Sequence, residues 1–216
     1  MPMRDPTEVE KRLDALGETL TGRFVGPVSQ LDLIQLILDE CDAQHRYDCF
    51  GILPRSLNEL AYVVLVSALT LTGEPLIAGA WLAGPYCPEM EKLRQIIDNN
   101  PMRYGLHVDS YYFKRDFPWV SERLERPDDA EFVDALSVLR PIVAYWAQRF
   151  PGEIALAINI KSPTSPWSLV RAHVKNSERP IIPTELIRAH VRDALERADA
   201  LDSIYRKLMS ASRQEA

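Results

Sequence analysis

The residues with the widest chemical reach in this chain are three cysteines and four histidines. Cys41, His45 and Cys49 stand at intervals of four. On one continuous helix they would share a face, and two thiolates with an imidazole suit zinc. Gly51 and the loop composition of Gln44 to Pro54 end the helix before that face is complete. A fourth ligand would have to come from Cys87 or His107, with no spacing to support it. Buried thiols beside a surface histidine are the competing reading, and no metal is expected. His107, His173 and His190 each have an acidic neighbour, as most histidines do, and no nucleophilic triad assembles. Dinucleotide, Walker, GxSxG and HExxH patterns are absent from the sequence. Gly22-Arg23-Phe24-Val25-Gly26 lacks the Lys and Ser/Thr of a phosphate loop and reads as linker. We therefore expect no catalytic residue and no cofactor, and a protein that is not an enzyme.

Aromatic side chains offer a different chemistry. Tyr104, Tyr111, Tyr112, Phe113, Phe117 and Trp119 crowd one stretch together with Arg103, Lys114 and Arg115. No helical period fits them. Aromatics beside arginine are the usual composition of a protein-binding hot spot. Tyr111, Tyr112, Phe113 and Trp119 are thus candidate partner-binding residues, and Tyr86 is a fifth. The competing reading places these rings in the core. Trp81, Tyr86 and Trp167 have the same two readings, and packing where two turns cross is the favoured one.

The elements that must position these residues are mainly helical. Asp5-Pro6-Thr7-Glu8 starts a first helix with Val9, Leu13, Leu16 and Leu20 on one stripe. Residues 21–27 read as a linker. Ser29 caps a second helix that ends near Ala43, with Leu31, Ile34, Leu38 and Cys41 on one face and Leu33 and Ile37 beside it. Ser56 and Glu59 have capping-box spacing. Leu60 to Thr72 is apolar nearly all round, which predicts a central helix wrapped by others. Gly73 ends it in a left-handed conformation and Pro75 prevents its continuation. Leu76 to Leu82 is a short apolar run, extended or irregular. Gly84-Pro85 breaks the chain, and Pro88 starts a helix with Glu89 and Glu91 at its positive end. Leu106 to Val108 and Tyr111 to Phe113 suggest two short strands that pair with Leu76 to Leu82. Residues 120–126 read as a short helical segment.

Asp128 and Glu131 repeat the capping-box spacing ahead of a helix bearing Phe132, Leu136, Leu139 and Val143, which Pro141 should kink or divide. Phe150-Pro151-Gly152 ends it. Pro163 and Pro166 make a turn, and Trp167 to Lys175 is a short helix. Thr184 caps a long C-terminal helix reaching Met209, with Ile187, Val191, Ala194, Ala198, Leu201, Tyr205 and Leu208 on a heptad-like seam. Small alanines in that seam favour an ordinary bundle face over a dimer coil.

Composition fits this plan. Apolar residues are 46% and charged residues 26% of 216, ordinary for one globular domain. A net charge of −6 argues against nucleic-acid binding by the chain itself, since that needs a basic face. An odd cysteine count gives no disulfide framework, and the first residues are too charged for a signal peptide. No apolar run is long enough to span a bilayer, so a cytoplasmic protein without membrane contact is expected.

The central stretch also resembles the Panacea, or SocA-like, domain of bacterial and phage antitoxins. The matching residues are Leu60 and Tyr62, then Thr72-Gly73-Glu74-Pro75-Leu76, then Ala80-Trp81 with Gly84-Pro85, then Pro88-Glu89 and Leu93. Pro166-Trp167 fits a second landmark of the family. Ala83 stands where the family usually has an aromatic, and Ser162 where it often has histidine. The match covers 29–191. The resemblance implies one mainly α domain over 1–216, a compact multi-helix body with a small β element. It makes residues 1–28 an appendage and 184–209 a terminal helix. Ile154, Leu156, Ile158 and Ile160 alternate like a strand, but the resemblance implies a helix there, and the alanines and leucine of Glu153 to Asn159 favour it. In function it implies an antitoxin that binds and neutralises a protein toxin, in one variant by delivering it to a Clp-type protease. A small helical enzyme, or a phage or prophage protein that regulates a host protein, are the alternatives.

Overall fold

A computed structural model describes residues 22–43, 52–99, 129–149, 153–154, 162–175 and 178–196. Its axis is the apolar run after residue 56. Pro54–Thr72 forms a 19-residue helix, α2, whose Leu57, Leu60, Ala61, Val64, Leu65 and Ala68 are buried. Val64 is wholly buried and belongs to a core that also takes in Ile34, Leu93, Leu139 and Ile187. Helix α1, Gln30–Ala43, packs on α2 through Leu33, Ile34, Ile37, Leu38 and Cys41. Helix α4, Ala130–Ala147, packs on both. It carries Phe132, Leu136, Leu139 and Val143 inward, as its spacing predicts. Helix α3 (Glu91–Asn99) packs on α1, and α6 (Thr184–Glu196) packs on α2 and on α5 (Pro166–Arg171).

A three-stranded antiparallel sheet packs on α2 and α3. Its order is β1 (Arg23–Phe24), β2 (Gly79–Ala83), β3 (Pro88–Met90). Arg23 pairs with Ala80, and Trp81 pairs with Met90. The edge of β2 not taken by β3 is shared. Phe24 and Arg23 occupy it at Gly79 and Ala80, and Ile181 continues it opposite Leu82. Ile182 N donates to Trp81 O and Ala83 N to Pro180 O, both at 2.7 Å. The described fold is therefore mainly α with a small β element.

Local chemistry explains the element ends. The Ser29 side chain receives Asp32 N, while Asp32 Oδ2 accepts from Ser29 N at 2.9 Å, a reciprocal cap on α1. Gly73 adopts φ 74° and its N–H reaches Leu69 O, closing α2 as its position predicts. Asp129 caps α4 by accepting from Phe132 N at 3.0 Å, one residue later than the Asp128–Glu131 spacing suggests.

Several expectations are corrected. Residues 21–27 include strand β1, because a two-residue strand shows no periodicity of its own. Helix α2 starts at Pro54, not Ser56, since proline at the first helical position sacrifices no intrahelical bond. Leu53 caps it without a side-chain bond, and Glu59 pairs with Arg55 instead. Pro88 lies in strand β3, and the helix begins at Glu91. Its missing N–H is tolerated at the strand's first residue. Pro141 sits inside α4 without dividing it. The short helix after Pro163 ends at Arg171 rather than Lys175. The first helix, the two strands near 106–113, the segment 120–126, most of 153–160 and α6 beyond Glu196 lie outside the described residues. Glu153 and Ile154 are helical. No described helix is long and apolar enough to cross a membrane.

Candidate functional site

The β2–β3 hairpin turns through Gly84, Pro85, Tyr86 and Cys87, and bonds from far along the chain fix it. Trp167 Nε1–H donates to Gly84 O at 2.7 Å. Gly84 N–H returns to Leu82 O at 3.0 Å. Arg171 donates to Glu178 O at 2.8 Å and reaches Ala83 O at 3.4 Å. A Cβ on Gly84 would overlap the Glu89 side chain, which would have to move to admit it. The Gly-Pro and Pro-Trp pairs thus meet in space. Trp81 lies beneath them, wholly buried, edge-on to Tyr62 at 5.3 Å.

Gln30 ties sheet to helix from the other side. Its Nε2 donates to Ala80 O at 2.7 Å and its Oε1 accepts from Lys92 N at 2.9 Å, in the first turn of α3. Gly79, at φ 119°, gives the room, because a Cβ there would stand 2.8 Å from Gln30 Cδ.

The hairpin turn borders a cleft of about 230 Å³, walled by the start of α2, by α3 and by the segment ahead of α6. Arg55, Arg94, Arg179, Asn58, Glu89 and Cys87 line it, and Tyr86 stands on its rim with 67% of its surface exposed. Each arginine has one carboxylate partner. Arg55 Nε donates to Glu59 at 2.9 Å, Arg179 Nε to Glu89 at 3.1 Å, and Arg94 pairs with Asp98. The hydrogen bond Arg55 donates to Glu59, then the charge of that carboxylate, hold the Arg55 pKa above its ordinary value. Asn58 is only 5% exposed, and its Oδ1 accepts from Met90 N at 2.8 Å. Burial, then the charges of Glu59 and Glu89, push the Cys87 thiol well above its ordinary pKa. A protonated, buried thiol is a poor nucleophile.

Of the candidate residues, Tyr86 is at this cleft and exposed. Trp81 is core, and Trp167 is half-buried against it. Thr72, Gly73, Pro75, Leu76 and Ala80 serve the α2–β2 connection. Thr72 Oγ1 accepts from Glu74 N, Leu76 O accepts from Val28 N, and Ala80 O receives Gln30. Pro85 and Pro166 start the turn and α5. Tyr111, Tyr112, Phe113 and Trp119 lie outside the described residues, as do His45, Cys49 and His107. Cys41 is a buried free thiol. Among the described residues, no group of three metal-binding side chains occurs. The three arginines escape sequence reasoning because they come from three distant segments. The Arg55–Glu59 and Arg94–Asp98 intervals of four are visible in the linear chain, but the meeting of the three arginines is not. No family model matches the chain, and neither the curated proteins nor the solved structures include one similar to it.

Proposed function

We propose that this chain is a cytoplasmic antitoxin of the Panacea, or SocA-like, kind, which binds a protein toxin and neutralises it. One observation supports this most. The motif residues that carry the resemblance, Gly84-Pro85 and Pro166-Trp167, hold a hairpin that presents Tyr86 to solvent beside three arginines. An exposed tyrosine on a fixed turn, ringed by guanidinium groups, has hot-spot composition. Delivery of the toxin to a Clp-type protease is a variant of the same function, and Tyr111, Tyr112, Phe113 and Trp119 are further anchors in this reading. The chain binds no nucleic acid by itself.

The test is co-expression with the product of the adjacent gene. Rescue of growth from that product, with co-purification of the two chains, is the expected result. Failure of both would sink the reading. Stability of the toxin in a Clp-deficient host separates direct block from delivery.

A further inference from the structure

The described residues begin at Gly22, and the surface around that point carries apolar side chains in the open. Val25, one residue past β1, is 86% exposed, and Ile181 is 40% exposed. Gly22 lies against Ile181, for a Cβ built on the glycine would stand 2.6 Å from Ile181 Cγ2. Ile181 sits opposite Leu82 on the edge of β2 that β1 shares, so Val25, Gly22 and Ile181 follow one margin of the sheet. Helix α6 runs beside this margin, since the Arg188 guanidinium lies 5.9 Å over the Phe24 ring. Arg188 and Arg192, one turn apart and both exposed, have no carboxylate partner among the described residues.

The sequence ahead of Gly22 has the character to cover this margin. Residues 5–20 carry Val9, Leu13, Leu16 and Leu20 on one stripe of a helical pattern. A lone helix of that length is marginal in water until its apolar stripe is covered. Leu20 stands two residues before Gly22. So short a tether keeps the stripe at an effective concentration of the order of millimolar beside the margin. Charge agrees. Residues 1–21 hold five acidic side chains, Asp5, Glu8, Glu10, Asp14 and Glu18, against three basic ones. Arg188 and Arg192 offer the opposite sign at the flank of the seat.

We propose that residues 5–20 of this chain dock on the margin formed by Val25, Ile181 and the exposed side of α6. The stripe from Val9 to Leu20 covers the two apolar side chains, and the acidic side chains turn toward Arg188 and Arg192. The occupant is the chain's own N-terminal segment because it is tethered at the seat, whereas a partner would have to displace it.

Hydrogen exchange on the full-length chain tests this. The amides of residues 9–20 should exchange about tenfold or more slowly than in an isolated 1–21 peptide. Val25→Ser combined with Ile181→Ser should return them to the peptide's rate. Arg188→Glu combined with Arg192→Glu should speed their exchange more at low salt than at high salt. Thermal unfolding gives a second readout. On a bare margin so exposed a valine is silent to Val25→Ser. With the segment seated, Val25→Ser lowers the melting temperature, and Val25→Ser with Leu16→Ser lowers it no further than Leu16→Ser alone. Peptide-like exchange in the wild-type chain, a melting temperature unmoved by Val25→Ser, or losses that add in full overturn the proposal. Protection that rises with protein concentration also overturns it, since the seat then belongs to a second copy. So does weaker binding of the adjacent gene's product by Val25→Ser/Ile181→Ser with the protection of residues 9–20 unchanged, which assigns the margin to that partner.

Discussion

Trp167 donates its indole N–H to the carbonyl of Gly84 across 83 residues of sequence, at 2.7 Å. This bond joins α5 to the hairpin that carries Tyr86. Trp167→Phe keeps most of the ring and removes the bond. We expect a loss of about 1 kcal/mol of stability, the usual net worth of one hydrogen bond. Gly84→Ala should cost more, because the new methyl must displace Glu89 from Arg179. Urea unfolding of both variants checks the order.

Tyr86 separates binding from folding. It is exposed, so Tyr86→Ala should leave the melting temperature nearly unchanged. Loss of a hot-spot anchor should weaken toxin binding by about 2 kcal/mol, roughly thirtyfold. Normal binding by a folded Tyr86→Ala protein would move the partner surface away from this turn.

Two tryptophans make opposite predictions for their polar neighbours. Trp146 Nε1–H donates to Ser67 Oγ at 3.0 Å, with both residues buried. Ser67→Ala leaves that N–H without an acceptor and should cost about 1–3 kcal/mol. Tyr62 Oη and Trp81 Nε1, by contrast, have no hydrogen-bond partner among the described residues. Tyr62→Phe should therefore be neutral or stabilising, because it removes a buried hydroxyl that is already unsatisfied. The melting temperature should fall for Ser67→Ala and should not fall for Tyr62→Phe.

High pH should expose the same burial. Burial raises the pKa of Tyr62, and burial plus nearby carboxylates raises that of Cys87. Both groups keep their protons in the folded chain after the unfolded chain has lost them. The unfolded values are near 9.0 for the thiol and 10.0 for the phenol. Their contribution is complete below pH 9 and declines as pH rises above those values, by roughly 1 kcal/mol per pH unit for each group. Tyr62→Phe should flatten the decline above pH 10, which urea unfolding at several pH values would measure.

The central helix gives the largest effect. Val64 is fully buried on α2, so Val64→Asp places a charge in the core with nothing to pair it. A loss of about 3–5 kcal/mol is expected. A melting temperature equal to wild type would contradict the packing of α2.

What the sequence made legible was whatever depends on local pattern. Ser29 and Asp32 stand at capping distance, Gly73 has no better use than a left-handed stop, and the apolar stripes of α1 and α4 follow the helical period. Long-range pairing was not legible. Arg23 and Phe24 have no strand signal, and only their partners on β2 make them one. Pro88 has equal local claims to a helix start and a strand start, and Ala83 opposite it decides the matter. The cleft was hidden for the same reason, since Arg55, Arg94 and Arg179 become neighbours only after the sheet has formed. The one exposed anchor at the cleft, Tyr86, was visible as a candidate because it follows the Gly-Pro pair directly.

The shared edge of β2 has a consequence for synthesis. Its first half is covered by Phe24 and Arg23, already made, but its second half waits for Ile181. At the ribosome's roughly 5–20 residues per second, that wait is of the order of ten seconds. Through that interval the nascent chain has a bare strand edge at Leu82, the feature through which chains pair wrongly with one another. A chain cut short before Pro180 would keep that edge open permanently, so truncation should yield aggregates rather than a smaller folded protein.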